Sequence, residues 1–220
     1  MIELLCLIGI IVLVVSSQSA IDSVYRKYSR INADKELTGK DVAERMLNSK
    51  GVYSVNFGLT KGVLSDYYNP KSKTIYLSKN SCTENTVASI AVAAHETGHA
   101  LQDEEGYFML KVRKLLAPVC SISSKFVWIA IFIGIILGAL DFVLLGLALM
   151  AITILFQLVT LPVEFDASRR AVAYLSSVGY SEETMVGVKK MLKAAAYTYV
   201  ASTMASILQL IRLFVAVKDD

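Results

Sequence analysis

Apolar residues gather in three stretches of the chain. Residues 2–15 are nearly all apolar and fade through Ser16, Ser17, Gln18 and Ser19. Residues 126–163 are broken only by Asp141, Thr153, Gln157 and Thr160. Residues 197–217 are weaker and carry Ser202, Ser206, Gln209 and Arg212. As a single helix the middle stretch would be roughly 57 Å long, against a hydrocarbon core of about 30 Å. It therefore predicts two membrane helices that turn back near residues 138–141, where Gly138 gives a permissive backbone and Asp141 reaches the headgroups. A shallow re-entrant hairpin is the alternative. The third stretch predicts a helix that is either a fourth span or one packed against the bundle or lying in the interface, because Arg212 and the hydroxyl residues are costly against lipid.

Charge orients these segments. A signal peptide has a positive leader, and here the early charge is Glu3. The cations follow the first stretch, as Arg26, Lys27, Arg30 and Lys35. Residues 1–20 thus read as an uncleaved anchor with its N-terminus outside and the basic flank in the cytoplasm. The turn near Asp141 lacks Lys and Arg, and Arg169, Arg170, Lys189, Lys190 and Lys193 follow the hairpin. The whole pattern fits an out, in, out, in topology.

Between the apolar stretches lies a polar part, residues 21–125. Thr38 with Asp41 forms a capping signature and Gly51 a stop, which predicts a helix near 39–50. Residues 62–78 read as two short strands around Asn69-Pro70-Lys71-Ser72, a β-hairpin whose edge strand can pair with a substrate backbone. Ser81 with Glu84 suggests the cap of a long helix running to about Gln102, apolar on all sides and hence buried. Another helix is expected near 107–117, interrupted by Pro118. The domain order is then an anchor at 1–20, a catalytic part at 21–125, a membrane hairpin at 126–163 and a helical region at 164–220.

Composition narrows the chemistry. A 55% hydrophobic, 19% charged chain of 220 residues is a membrane protein with a sizeable polar part. A net charge of +3 is too small for nucleic acid, and three cysteines do not make a disulfide scaffold. Both histidines of the chain stand in His95-Glu96-Thr97-Gly98-His99. On a helix, positions i and i+4 share a face, so both imidazoles can bind one Zn²⁺ while Glu96 reaches a water on it. Without a metal, Glu96 would be an uncompensated charge in a buried helix.

A catalytic zinc takes three protein ligands and keeps one open position. With no third histidine the last ligand must be Asp, Glu or Cys. Glu164 stands out because it closes the membrane hairpin in Leu161-Pro162-Val163-Glu164-Phe165-Asp166 and returns to the same membrane face as His99. Pro162 suits a kink or helix start there. Asp166 is the second candidate, and Asp103, Glu104 and Glu105 read as a solvated helix end.

The stretch from His95 to Gln102, with Pro162-Val-Glu-Phe-Asp-Ala-Ser-Arg-Arg-Ala171, resembles the bacterial YugP-type membrane zinc metallopeptidases (neutral zinc metallopeptidase family 2). Residues 65–78 look similar to that family too, and the resemblance covers essentially the whole chain. The layout is distantly similar to the CAAX prenyl protease and HtpX gluzincins. The resemblance implies a mainly α integral membrane protein with a gluzincin-like core, a small β-hairpin edge strand and a transmembrane helical hairpin. It further implies one catalytic Zn²⁺ on His95, His99 and Glu164, with Glu96 as the catalytic acid–base group. Many gluzincins place an Asp four residues after the ligating Glu to support a histidine. Here that position is Ser168, so either Ser168 supports the histidine or Asp166 pairs with Arg169 or Arg170 and steadies the helix. A tyrosine or Arg169 is left to stabilise an oxyanion.

These features predict a zinc-dependent metallopeptidase in the bacterial cell membrane, with its active site on the cytoplasmic side. It would use a zinc-bound water activated by Glu96 on a peptide or protein substrate that is itself membrane-associated. The alternative is a zinc-binding membrane scaffold without hydrolysis that binds a partner protein. A channel would need charges along the spans, and the hairpin offers only Asp141.

Overall fold

The computed structural model describes residues 2–219, with side chains for 3–217. Seven helices and three strands follow in the order α1 (Ile2–Tyr28), α2 (Gly39–Asn48), β1 (Asn56–Thr60), β2 (Tyr67–Asn69), β3 (Thr74–Ser78), α3 (Lys79–Thr83), α4 (Val87–Glu104), α5 (Phe108–Leu137), α6 (Leu140–Ser177) and α7 (Glu182–Asp219). They form two compact units. One contains residues 2–18, 108–162 and 197–219, and the other 19–107 and 163–196.

The first unit is made from α1, α5, α6 and α7, each long and apolar enough to cross a membrane. Most of each apolar segment lies on the outside. Ile136, for example, is 79% exposed, which is tolerable only where the surroundings are as apolar as the side chain. The unit's small interior joins Val127 and Ile131 to Met150 and Ile154, with Ile207, Leu210 and Leu213 against them. The expected hairpin is present. Gly138 makes the turn at φ +62°, a conformation that favours glycine. Gly134 allows the close approach: a Cβ there would lie 2.5 Å from Val143 Cγ2. The stretch 197–217 belongs to this unit as part of one continuous 38-residue helix.

Three expectations about boundaries are corrected. Pro118 does not interrupt a helix but sits inside α5, and Pro162 starts nothing because it sits inside α6. In an apolar environment a freed backbone carbonyl costs less than a broken helix with many, so the helix continues through the proline. Ser81 does not cap the long helix. It lies in α3, while α4 starts at Val87 behind Thr86, whose hydroxyl accepts from the Ser89 N–H at 3.2 Å.

The second unit is organised around α4. Its Ile90, Ala91 and Ala94 are fully buried among Val42 and Met46 of α2, Ile75 and Leu77 of β3, Leu175 of α6 and Val188 and Met191 of α7. The sheet order is β1-β3-β2. Strands β2 and β3 form the expected antiparallel hairpin, with Tyr68 opposite Ile75. Its turn is held by Asn69 Oδ1, which accepts from the Lys71 N–H at 2.9 Å. Strand β1, parallel to β3, is an addition to the predicted elements. Its Gly58 is a poor strand residue, yet the Tyr76 ring lies where a Cβ would stand, 2.7 Å away.

Helix α2 begins as the sequence predicts. Thr38 Oγ1 accepts from the Asp41 N–H at 3.1 Å, and the Thr38 N–H donates to Asp41 Oδ2 at 2.9 Å. The Thr38 hydroxyl, its largest influence, holds the Asp41 carboxyl below the ordinary carboxylate range. A carboxyl depressed in this way stabilises the fold above its unfolded pKa, and the gain is lost as pH falls through the folded value. Thr38→Ala should therefore cost about 1 kcal/mol at neutral pH. Hydrogen-exchange protection of α2 should show the variant and the parent converging below about pH 4.

Candidate metal centre

Helices α4 and α6 cross where the sequence can tolerate it. A Cβ on Gly98 would lie 2.7 Å from the Ala167 carbonyl oxygen and 3.0 Å from its Cα. No side chain fits there, so glycine lets the two backbones touch. The residues flanking that contact are His95 and His99 on α4, and Glu164 and Ser168 on α6.

The structure brings His95, His99 and Glu164 together. Glu164 Oε2 lies 3.2 Å from His95 Nε2 and 3.4 Å from His99 Nε2. One ligand atom from each residue lies within 4.8 Å of the others. Bonds of 2.0–2.2 Å at a tetrahedral zinc put ligand atoms about 3.3 Å apart. The two imidazole–carboxylate separations match that spacing, and the N, N, O donor set is one that zinc takes. Glu164 is only 2% exposed, and a carboxylate so far from water needs positive charge beside it. The residues present thus fit a divalent metal.

Both imidazoles are oriented from behind. Gln102, fully buried, gives its amide nitrogen to the Val163 carbonyl at 2.8 Å and to Asp166 Oδ2 at 3.0 Å. Two acceptors fix which end is nitrogen, so Oε1 faces His99 Nδ1 at 3.0 Å. His99 Nδ1 must then carry the proton, which leaves a lone pair on Nε2, the nitrogen turned toward Glu164. Behind His95, Ser168 Oγ lies 3.2 Å from Nδ1. Asp166 is not among the grouped atoms. It pairs with Arg169 and, at 2.6 Å, with Arg170 Nε, and Arg170 reaches Glu105 Oε2 at 2.7 Å. The two alternatives for this stretch are therefore both realised, Ser168 behind a histidine and Asp166 paired with the arginines. Gln102 was not among the sequence candidates, although it stands at i+3 from His99 on the same helix face.

Glu96 is half-buried beside the cluster. Its Oε2 accepts from the Tyr68 N–H of β2 at 3.0 Å. Loss of water pushes its pKa up to about 7, with His95 opposing and Glu164 and Asp66 adding to the rise. The acids at the end of α4 form the expected solvated helix end, with Glu104 and Glu105 exposed and Asp103 partly buried, but two of them also make contacts to the hairpin. Asp103 accepts from the Tyr68 hydroxyl at 3.0 Å, and Glu104 pairs with Lys73 at 2.7 Å. Both contacts fasten the hairpin to α4. Arg169 is paired with Asp166 although its side chain is 78% exposed.

Comparison with known proteins gives a family and a relative. Residues 3–218 match the family described as "Putative neutral zinc metallopeptidase". The Bacillus subtilis (strain 168) protein named "Putative membrane protease YugP" is 38% identical over 199 residues, covering 89% of this chain and 88% of that protein. No solved structure matches the chain.

The helix contact at Gly98 can be tested directly. Gly98→Ala should push α6 off α4 and weaken Co²⁺ or Zn²⁺ binding by about tenfold or more, as read by the visible spectrum of the Co²⁺ form or by metal analysis. Unchanged affinity would show that the contact does not set the cluster.

Proposed function

The chain belongs to the neutral zinc metallopeptidase family, and we propose that it is a membrane-integral peptidase whose working site is the cluster of His95, His99 and Glu164 with Glu96 beside it. The observation that carries this reading is the convergence of two imidazoles and a buried carboxylate on one small volume, 3.2 and 3.4 Å apart. In this reading His95 and His99 bind one Zn²⁺ through Nε2, and Glu164 through a carboxylate oxygen. Zinc held there would supply Lewis acidity, lowering the pKa of a bound water and polarising a carbonyl.

The chain's own groups do the rest. The Tyr68 N–H holds Glu96 Oε2, which leaves Oε1 to take the proton from the attacking water and hand it to the leaving amine. Gln102 keeps the His99 proton on Nδ1, and Ser168 accepts the corresponding proton of His95. The peptide or protein substrate lies extended beside β2, an edge strand of the sheet, next to Glu96. The basic flank after α1 (Arg26, Lys27, Arg30 and Lys35) supports a cytoplasmic site in a bacterial cell membrane.

Glu96→Gln should keep a full complement of zinc and lower kcat on a peptide library by about 10²–10⁴-fold. Glu164→Ala should lose zinc in metal analysis of the purified, folded protein. Full zinc occupancy in Glu164→Ala would remove the third ligand. A parent protein that holds zinc yet cleaves no peptide in detergent would favour the non-hydrolytic scaffold instead.

A further inference from the structure

The membrane unit contains a largely apolar cleft with a group of polar side chains for which the peptidase chemistry has no use. It measures about 550 Å³ and is lined by Ser124, Thr153, Gln157, Ser206, Gln209 and Arg212. These groups sit on helices long and apolar enough to cross a membrane, where polar side chains are costly unless paired. Two of them lack what they need. Gln157 Oε1 is shut off from solvent with no hydrogen-bond donor. Arg212 is half-buried, with no ion pair or hydrogen bond among the described residues. The cleft thus calls for an anion and a hydrogen-bond donor.

The surroundings say what carries them. Leu7, Ile10, Val127 and Met150 form an apolar wall of the same cleft, suited to an acyl chain. Arg212 stands little more than one helical turn before Val217, where the apolar segment ends. That is roughly 7 Å along the axis, within reach of the headgroup layer for a long side chain. A partner's membrane helix is too large: at 10–12 Å across, three turns of it fill roughly 1,500 Å³. A space of about 550 Å³, open on one side, takes a headgroup and part of one acyl chain, with the rest of the lipid left in the bilayer.

We propose that this cleft binds one anionic glycerophospholipid, with its phosphodiester on Arg212, a headgroup hydroxyl supplying the missing donor and an acyl chain against the apolar wall. The site is separate from the metal cluster, and its occupancy does not depend on hydrolysis. The test uses the full chain in phosphatidylcholine nanodiscs, with or without added phosphatidylglycerol, read by melting temperature and by native mass spectrometry of retained lipid. Phosphatidylglycerol should raise the melting temperature by about 5 °C near saturation and remain bound one per chain. Arg212→Gln should abolish both effects and Arg212→Lys should keep part of them. Lys125→Gln, an exposed cation of α5 outside the cleft, should change neither. Gln157→Leu should weaken retention several-fold, and it serves as the test should Arg212→Gln not fold. Equal retention of phosphatidylcholine, an undiminished shift in Arg212→Gln, or loss of the shift in Lys125→Gln would overturn the site. Reproduction of the shift by millimolar inorganic phosphate, without phosphatidylglycerol, would overturn the lipid as its ligand. A stoichiometric co-purifying polypeptide lost on Arg212→Gln would do the same.

Discussion

A carboxylate that water barely touches must be compensated or it will not stay charged. Glu164, at 2% exposure, lies between two imidazoles whose Nε2 atoms turn toward it, an arrangement that a cation among the three would compensate, and much of the second unit follows from holding it there. The imidazoles have to sit one helical turn apart, which fixes them to a single helix. That helix must come close enough to α6 for hydrogen-bond-length contacts. Gly98 against the Ala167 backbone provides the approach. A helix gripped this tightly on one side must also be buried on its others, which explains why α4 is built from Ala, Val, Ile and Ser packed against α2, β3 and α7.

Close approach alone does not orient a ring. The polar chain from His99 through Gln102 and Asp166 to Arg170 and Glu105 runs from the buried imidazole out to exposed side chains. Gln102 has both amide hydrogens and its oxygen engaged, so its amide cannot flip without losing two bonds. The hairpin is tied in by the same logic. Its Tyr68 uses the backbone N–H on Glu96 and the hydroxyl on Asp103, so a strand of three residues is held at both its main chain and its side chain. A site assembled from α4, α6 and β2 is thereby pre-set, which is what positioned acid–base chemistry requires.

The sequence made some of this legible and some not, for identifiable reasons. The His95–His99 pair, the return of Glu164 after the hairpin, the Thr38–Asp41 cap and the turn at Gly138 are local patterns, and local patterns survive folding. The role of Gln102 is not local: its meaning depends on Val163 and Asp166, more than sixty residues away. Strand β1 escaped because Gly58 reads as a loop residue until Tyr76 is seen lying across it. Pro118 misled, as did the helix start considered at Pro162, because a proline's cost is judged against water, whereas in an apolar medium ending a helix exposes more unpaired backbone than the proline itself does. Thr86 was overlooked as a cap because Ser81 and Glu84, just before it, fit the capping pattern but form the short α3 instead.

The two units obey opposite rules about polarity, and each contains one instructive exception. In the unit around α4 the interior is apolar, and the exception is the cluster of His95, His99 and Glu164, whose N, N, O set fits a metal. In the membrane unit the outside is apolar, and the exception is the partly buried group of Gln157, Gln209 and Arg212 along one cleft. There the chain supplies no counter-charge of its own among the described residues. Leu or Met would fill the space of Arg212 without the cost of a cation in an apolar span. Its presence beside an acceptor with no donor is therefore better explained by a molecule from the bilayer that completes both, and the lipid becomes part of the bundle's packing rather than its solvent.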